Sequence, residues 1–283
     1  MIPGVPPAMR VGVTGASLWD AGGGDSGRGS DEAPGSNGAG LSLIAAREPE
    51  RPERFPPGTW RKMSRLARLV ARAAEPLVHG PADALIVGVS GGEFASSVAF
   101  LRSYYLRGAA LASPLAFQNS VHNAPAAHLS IDLGLTGWSE TLLAGEATFW
   151  RTLERGMSRV LASGAPVIVV IAEELSPEVR DGMKAADVQG TWLEGAAAFR
   201  LEPLGTAVGL SWWDRPQRGA GAAEIRAAAT EGDAAGAERG GAAIRVHGGP
   251  FREAARLFGL IAAGYGTLDS PPHLPQPAWL EVC

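Results

Sequence analysis

Two short stretches of this 283-residue chain carry residue types that do chemistry at useful spacing. In Gly88-Val89-Ser90-Gly91-Gly92 a serine stands between glycines, after an apolar run and ahead of a helical stretch. That is the pattern of a strand–turn–helix elbow, which lifts a hydroxyl clear of a sheet for nucleophilic attack. Asp187 or Asp214, followed by His247, preserves a serine–acid–histidine order along the chain. The plainer reading is a tight turn, because residues 21–57 supply no strands to precede such an elbow. The second stretch is Ser120-Val121-His122-Asn123, with His128 nearby. His122 and Asn123 have side chains that orient a ligand or, equally, hydrogen-bond buried backbone. The structural role is favoured for both, and His128 reads as a core or surface histidine.

Other apparent sites are weaker. Val13-Thr-Gly-Ala-Ser17 opens like a nucleotide-binding strand and turn, but Leu18, Trp19 and Asp20 stand where further glycines are needed, and no Tyr-x-x-x-Lys exists. Gly22, Gly24 and Gly27 spell Gly-x-Gly-x-x-Gly inside a glycine tract with no helix after it. Neither supports a cofactor, and none is expected. The single cysteine, Cys283, excludes an internal disulfide framework and a Cys-rich zinc site. A net charge of −4 provides no broad cationic field for nucleic acid. The apolar run 165–172 is far shorter than the roughly 20 residues of a membrane-spanning helix. No signal pattern opens the chain, so a cytoplasmic protein is expected.

The elements that must position these residues follow from periodicity. The spacing predicts strands at 9–19, 84–89 and 165–172, the last apolar enough for burial on both faces. Residues 196–201 and 207–213 read as a terminal strand pair. Helices are expected over 60–78, 93–106 and 148–162, the last stopped by Gly164, and from Pro250 to about 263. Residues 21–57 read as a mobile Gly/Pro-rich segment and 216–246 as a flexible loop. Strands alternating with helices give an α/β fold with a mixed sheet layered by helices, in one domain over 9–283.

Ser113-Pro-x-x-Phe117-x-x-Ser120-Val-His-Asn123, the turn Gly134-Leu-Thr-Gly137, the amphipathic stretch 148–162 and the Val-Ile-Val-Val strand occur in an order that resembles the N-terminal half of a β-ketoacyl synthase. The likeness covers 59–174 best, with 11–19 as its first strand. It implies a thiolase-like half-domain in which the His122–Asn123 segment lies near a subunit interface. It also places the condensing cysteine at Glu146. A carboxylate there is stabilised by the helix dipole but forms no useful acyl thioester. The family's catalytic histidines belong to a C-terminal half for which this chain has little room, and His247 and His273 match none of their motifs. Trp138 also departs from the family, where proline is common.

The resemblance therefore implies a non-condensing, chain-length-factor-type protein. Its partner would be an active β-ketoacyl synthase, together with acyl carrier protein, in fatty-acid, polyketide or aryl-polyene-type synthesis. A lone half-domain is expected to leave one sheet face and an edge for that partner. Two alternatives stay open: a serine hydrolase of the α/β-hydrolase type using Ser90, and decarboxylation of a malonyl group supported by Glu146 without condensation.

Overall fold

The computed structural model describes residues 9–20, 41–80, 83–188, 190–205, 208–214, 250–263, 266–269 and 278–282. In chain order the strands are β1 (Met9–Trp19), β2 (Leu41–Ile44), β3 (Ala84–Val89), β4 (Ser139–Leu142), β5 (Val167–Glu173), β6 (Gly190–Leu193), β7 (Gly195–Glu202), β8 (Val208–Asp214), β9 (Gly266–Asp269) and β10 (Ala278–Val282). The helices are α1 (Pro57–Trp60), α2 (Arg65–Ala74), α3 (Phe94–Arg107), α4 (Pro114–Asn119), α5 (Ala124–Leu133), α6 (Thr148–Ser163), α7 (Pro177–Ala185) and α8 (Pro250–Ala263). Eight of the described strands form one sheet in the order β4-β3-β5-β7-β1-β8-β10-β9. β3 runs parallel to β4 and β5, and every later pairing across the sheet is antiparallel. β2 and β6 make a separate parallel pair.

The apolar runs find both sheet faces because side chains alternate along a strand. In β5, Val167, Val169 and Ile171 point to a core shared with α6 and α8. Ile168, Val170 and Ala172 point to a second core shared with α2 and α5. All six are fully buried, and each of the larger ones contributes on the order of 1.5–3 kcal/mol by leaving water. The expected α/β fold with a mixed, helix-layered sheet is the fold observed. The expectation of an uncovered sheet face is corrected, because helices lie on both faces.

Three element boundaries differ from the sequence reading, each for a local reason. The helix expected over 60–78 begins at Arg65, because the Ser64 side chain accepts the Ala67 N–H as an N-cap. It gives way to a 3-10 turn at Glu75–Leu77 around Pro76. The strands near 196–201 and 207–213 do not pair with each other. Both pair with β1, which is long enough to hold β8 along Met9–Val13 and β7 along Gly12–Trp19. The segment 21–57 is structured at its end: Leu41–Ile44 is a strand, and Ala46 and Phe55 are buried. Residues 21–40 and 216–246 lie outside the described residues. Gly164 ends α6 in the left-handed conformation, as expected.

Candidate functional site

Glu146 lies in a 3-10 turn, Gly145–Ala147, that leads directly into α6. Gly145 supplies a positive φ of 53°. The turn is braced from within α6: Thr148 Oγ1 accepts the Ala144 N–H at 3.1 Å, and Thr152 Oγ1 donates to the Thr148 carbonyl at 2.6 Å. Thr152 in turn fills the space above Gly88, where a Cβ would come within 2.1 Å of its hydroxyl. The first turns of α6 are buried at Thr148, Phe149, Trp150 and Thr152. An exposed carboxylate thus stands at the N-terminus of a helix sunk in the core, where unsatisfied N–H groups favour negative charge. Such a group holds charge but offers no thiolate.

Ser90 stands in the turn between β3 and α3, so the expected elbow context exists. Its Oγ donates to Glu173 Oε2 at the end of the neighbouring parallel strand β5. Asp214 is excluded as a catalytic acid for it. β8 is four strands from β3, roughly 19 Å at ordinary strand spacing, and it runs the other way, so Asp214 ends its strand at the opposite end of the sheet from Ser90. Asp187 sits in the turn after α7, with a positive φ of 51°. His247, His273 and Cys283 lie outside the described residues.

His122 is exposed, and its Nδ1 accepts the Glu93 N–H at 3.4 Å. The ring occupies the space beside Gly92, whose φ is +61° and whose Cβ, if present, would lie 2.1 Å from Nδ1. Asn123 is the N-cap residue of α5, but its side chain makes no cap hydrogen bond. His128 is buried, with Nε2 3.1 Å from Asn119 Oδ1, while Asn119 Nδ2 donates to the Lys62 carbonyl at 2.7 Å. That network assigns the proton to Nε2. Burial pushes the His128 pKa down, which fits a neutral structural histidine.

Sequence reasoning missed a set of buried acids around Ser90. Glu93 is fully buried and accepts hydrogen bonds from Ser64 Oγ and, at 2.7 Å, Ser96 Oγ. Burial pushes its pKa up to about 7 against those two donors. Burial likewise raises Glu173 to about 7, with the charge of Glu194 adding to it. Glu174, raised by burial and by the charges of Glu93 and Glu194, also reaches about 7. Glu194 itself is buried and held by Arg65 through Nε and Nη2, each at 2.9 Å, and by the N–H groups of Ala46 and Leu175. The available signal was two acids ending the most apolar strand and one acid opening a helix. Among the described residues no group of three or more His, Cys, Asp or Glu is placed to hold a metal ion.

The outer helices show the reverse imbalance. α3 buries none of its 14 residues. Tyr105 and Leu106 are 77% and 82% exposed, and Phe94, Leu101 and Phe117 on α3 and α4 are also open. Trp138 and Ile131 are exposed beside β4, an edge strand of the sheet. Among the described residues no helix is long and apolar enough to cross a membrane.

The site is thus a mixed sheet layered by helices on both faces, with Glu146 in the turn that opens α6. The chain belongs to the β-ketoacyl synthase N-terminal domain family, whose model matches residues 42–242. No curated protein matches it. Solved structures share the fold at low identity. A ketosynthase in complex with its chain length factor from Xenorhabdus doucetiae is 19% identical, with a TM-score of 0.57 over 75% of this chain and 85% of that one. The ishigamide ketosynthase/chain length factor is 18% identical, with a TM-score of 0.57 over 79% and 72%. AntDE:AntF, a type II polyketide synthase acyl-carrier protein in complex with its hexaketide-bound ketosynthase, is 13% identical with a TM-score of 0.71 over 97% and 99%.

Proposed function

We propose that this chain is a non-condensing ketosynthase-like subunit that pairs with an active β-ketoacyl synthase in the cytoplasm. It sets or scaffolds acyl chain length in fatty-acid, polyketide or aryl-polyene-type synthesis, and acyl carrier protein is a further partner. The observation that carries this reading is Glu146, a carboxylate at the buried-helix N-terminus where the resemblance aligns the condensing cysteine. Condensation needs a thiolate that accepts an acyl group, and a carboxylate there does not supply one. The open apolar face of α3 and α4 and the β4 edge supply the contact area that a partner requires. Two of the structural relatives are, by their descriptions, ketosynthases with a chain length factor.

The test is co-expression with the β-ketoacyl synthase encoded nearest to this chain, then product-length analysis with and without it. A stable complex whose products change length supports the reading. A chain that stays alone and leaves the products unchanged overturns it. The Ser90 hydrolase is the second reading, favoured by the strand–turn–helix elbow. The bond from Ser90 to a carboxyl instead of an imidazole weighs against it.

A further inference from the structure

Trp19 closes β1 and is buried in the core that the sheet shares with α2, on the face away from α6. Its indole Nε1 donates to the Arg47 carbonyl at 3.4 Å, which holds the chain just after β2 against the ring. Two guanidinium groups lie over this one indole. Arg47 Cζ is 3.7 Å from the ring centroid, and Arg72 Cζ, from α2, is 4.6 Å from it. The two cations are therefore no more than about 8 Å apart, close enough to repel each other at physiological salt.

The carboxylates of this region are already engaged. Glu48 accepts from Arg65 and Arg68, Glu194 from Arg65, and Glu75, one turn beyond Arg72, pairs with Arg54 at 3.7 Å. Among the described residues neither Arg47 nor Arg72 has a carboxylate in ion-pair contact. Arg47 Nε is also out of reach of solvent and meets no hydrogen-bond acceptor among the described residues. Holding two cations together in this way is costly until an anion answers both.

We propose that Arg47 and Arg72, positioned by Trp19, form a binding site for a phosphate monoester. A guanidinium resting on an aromatic face keeps the N–H groups along its edge for a second partner. Two such forks offered together match the two negative charges and three acceptor oxygens of a phosphate monoester, whereas a carboxylate answers only one of them. The indole fixes the forks in advance, so little side-chain freedom is lost when the anion arrives. The site uses neither the Glu146 turn nor the α3–α4 face, and it does not depend on the partner reading.

The test is calorimetric titration of the full chain with inorganic phosphate and with glycerol phosphate, in chloride buffer of fixed ionic strength. Saturable binding is expected. Arg47→Gln and Arg72→Gln are each expected to weaken it at least about tenfold. Arg102→Gln, at a side chain 70% exposed on α3, is expected to leave it unchanged. Vesicles containing phosphatidic acid present the same group on a lipid. Capture by them through Arg47 and Arg72, in preference to glycerol phosphate, assigns the site to a lipid headgroup, and the reverse preference assigns it to a soluble phosphate ester. No saturable binding of any of these phosphates overturns the site, as does binding that both Arg47→Gln and Arg72→Gln retain. If neither variant folds, the wild type decides: phosphate should slow phenylglyoxal modification of Arg47 and Arg72 but not of Arg102, and equal rates with and without phosphate overturn the proposal.

Discussion

Ser90 Oγ gives its hydrogen to Glu173 Oε2, the last residue of the adjacent parallel strand. In a serine–acid–histidine site the hydroxyl bonds an imidazole that takes up its proton, whereas the Ser90 hydroxyl is held by a buried carboxyl. The wild-type chain is therefore expected to hydrolyse no simple ester, and Ser90→Ala is expected to cost about 1–2 kcal/mol of stability through the lost bond. An ester-hydrolysis assay of both proteins checks this. Measurable turnover that disappears in Ser90→Ala would restore the hydrolase.

Gly92 and His122 form a matched pair, one without a Cβ and the other with its ring in that space. Gly92→Ala meets two penalties, a positive φ and a collision with Nδ1. It is expected to lower stability by about 2–4 kcal/mol. In His122→Ala the collision is gone and only the backbone penalty remains, so the double variant should lose less than the two single losses together. Urea unfolding of the four proteins measures this, and strict additivity would refute the pairing.

Buried Arg200 donates to Asp83 Oδ2 at 2.8 Å and to the Leu77 carbonyl at 3.1 Å, tying β7 to the chain that follows α2. Burial pushes the Asp83 carboxyl up, but Arg200 and the N–H groups of His79 and Gly80 outweigh it and leave the pKa below the usual carboxylate value. A depressed folded pKa contributes stability above the unfolded value near 3.8 that is lost as pH falls through the folded one. Arg200→Met strands Asp83 and is expected to cost about 3–5 kcal/mol at neutral pH. It should also flatten the acid limb of the stability curve. Unfolding midpoints between pH 3 and pH 7 are the readout, and an unchanged acid limb would contradict this account.

On the proposed function, the α3 face is where loss of binding separates from loss of folding. Leu106→Asp changes a side chain that is 82% exposed, so stability should move by no more than about 0.5 kcal/mol. The same change sets an unpaired charge in an apolar interface and should abolish co-purification with the partner synthase. Thermal melting and pull-down, run on the same preparation, decide it. A variant that still pulls down the synthase would move the contact elsewhere.

Much of the framework was readable because burial on both faces leaves an unbroken apolar run. β3 and β5 declared themselves that way, and α6 declared itself by its periodicity and its closing Gly164. What could not be read was set by partners distant in sequence. Nothing local tells that β7 and β8 are separated by β1. Nothing near Glu93 tells that Ser64, 29 residues earlier, would meet it. The starting point of α2 was legible in principle, since a serine ahead of a helical run is an N-cap signal, but the apolar rhythm continuing back to Trp60 masked it. Glu146 was placed by pattern alone, and the threonine brace that holds its turn is visible only in three dimensions.

The central position of β1 has a consequence for how the chain is made. Met9 to Trp19 is synthesised well ahead of both its neighbours: Gly12 pairs with Glu202 on one side and with Gly209 on the other. Until residues near 195–214 are synthesised, β1 has neither neighbour, and the half of the sheet built from β3, β4 and β5 presents an open flank. Contacts this remote in sequence make for slow closure. Nascent chains of this protein are thus committed to a long wait with an adhesive strand exposed, the circumstance in which chaperone capture during translation decides the yield.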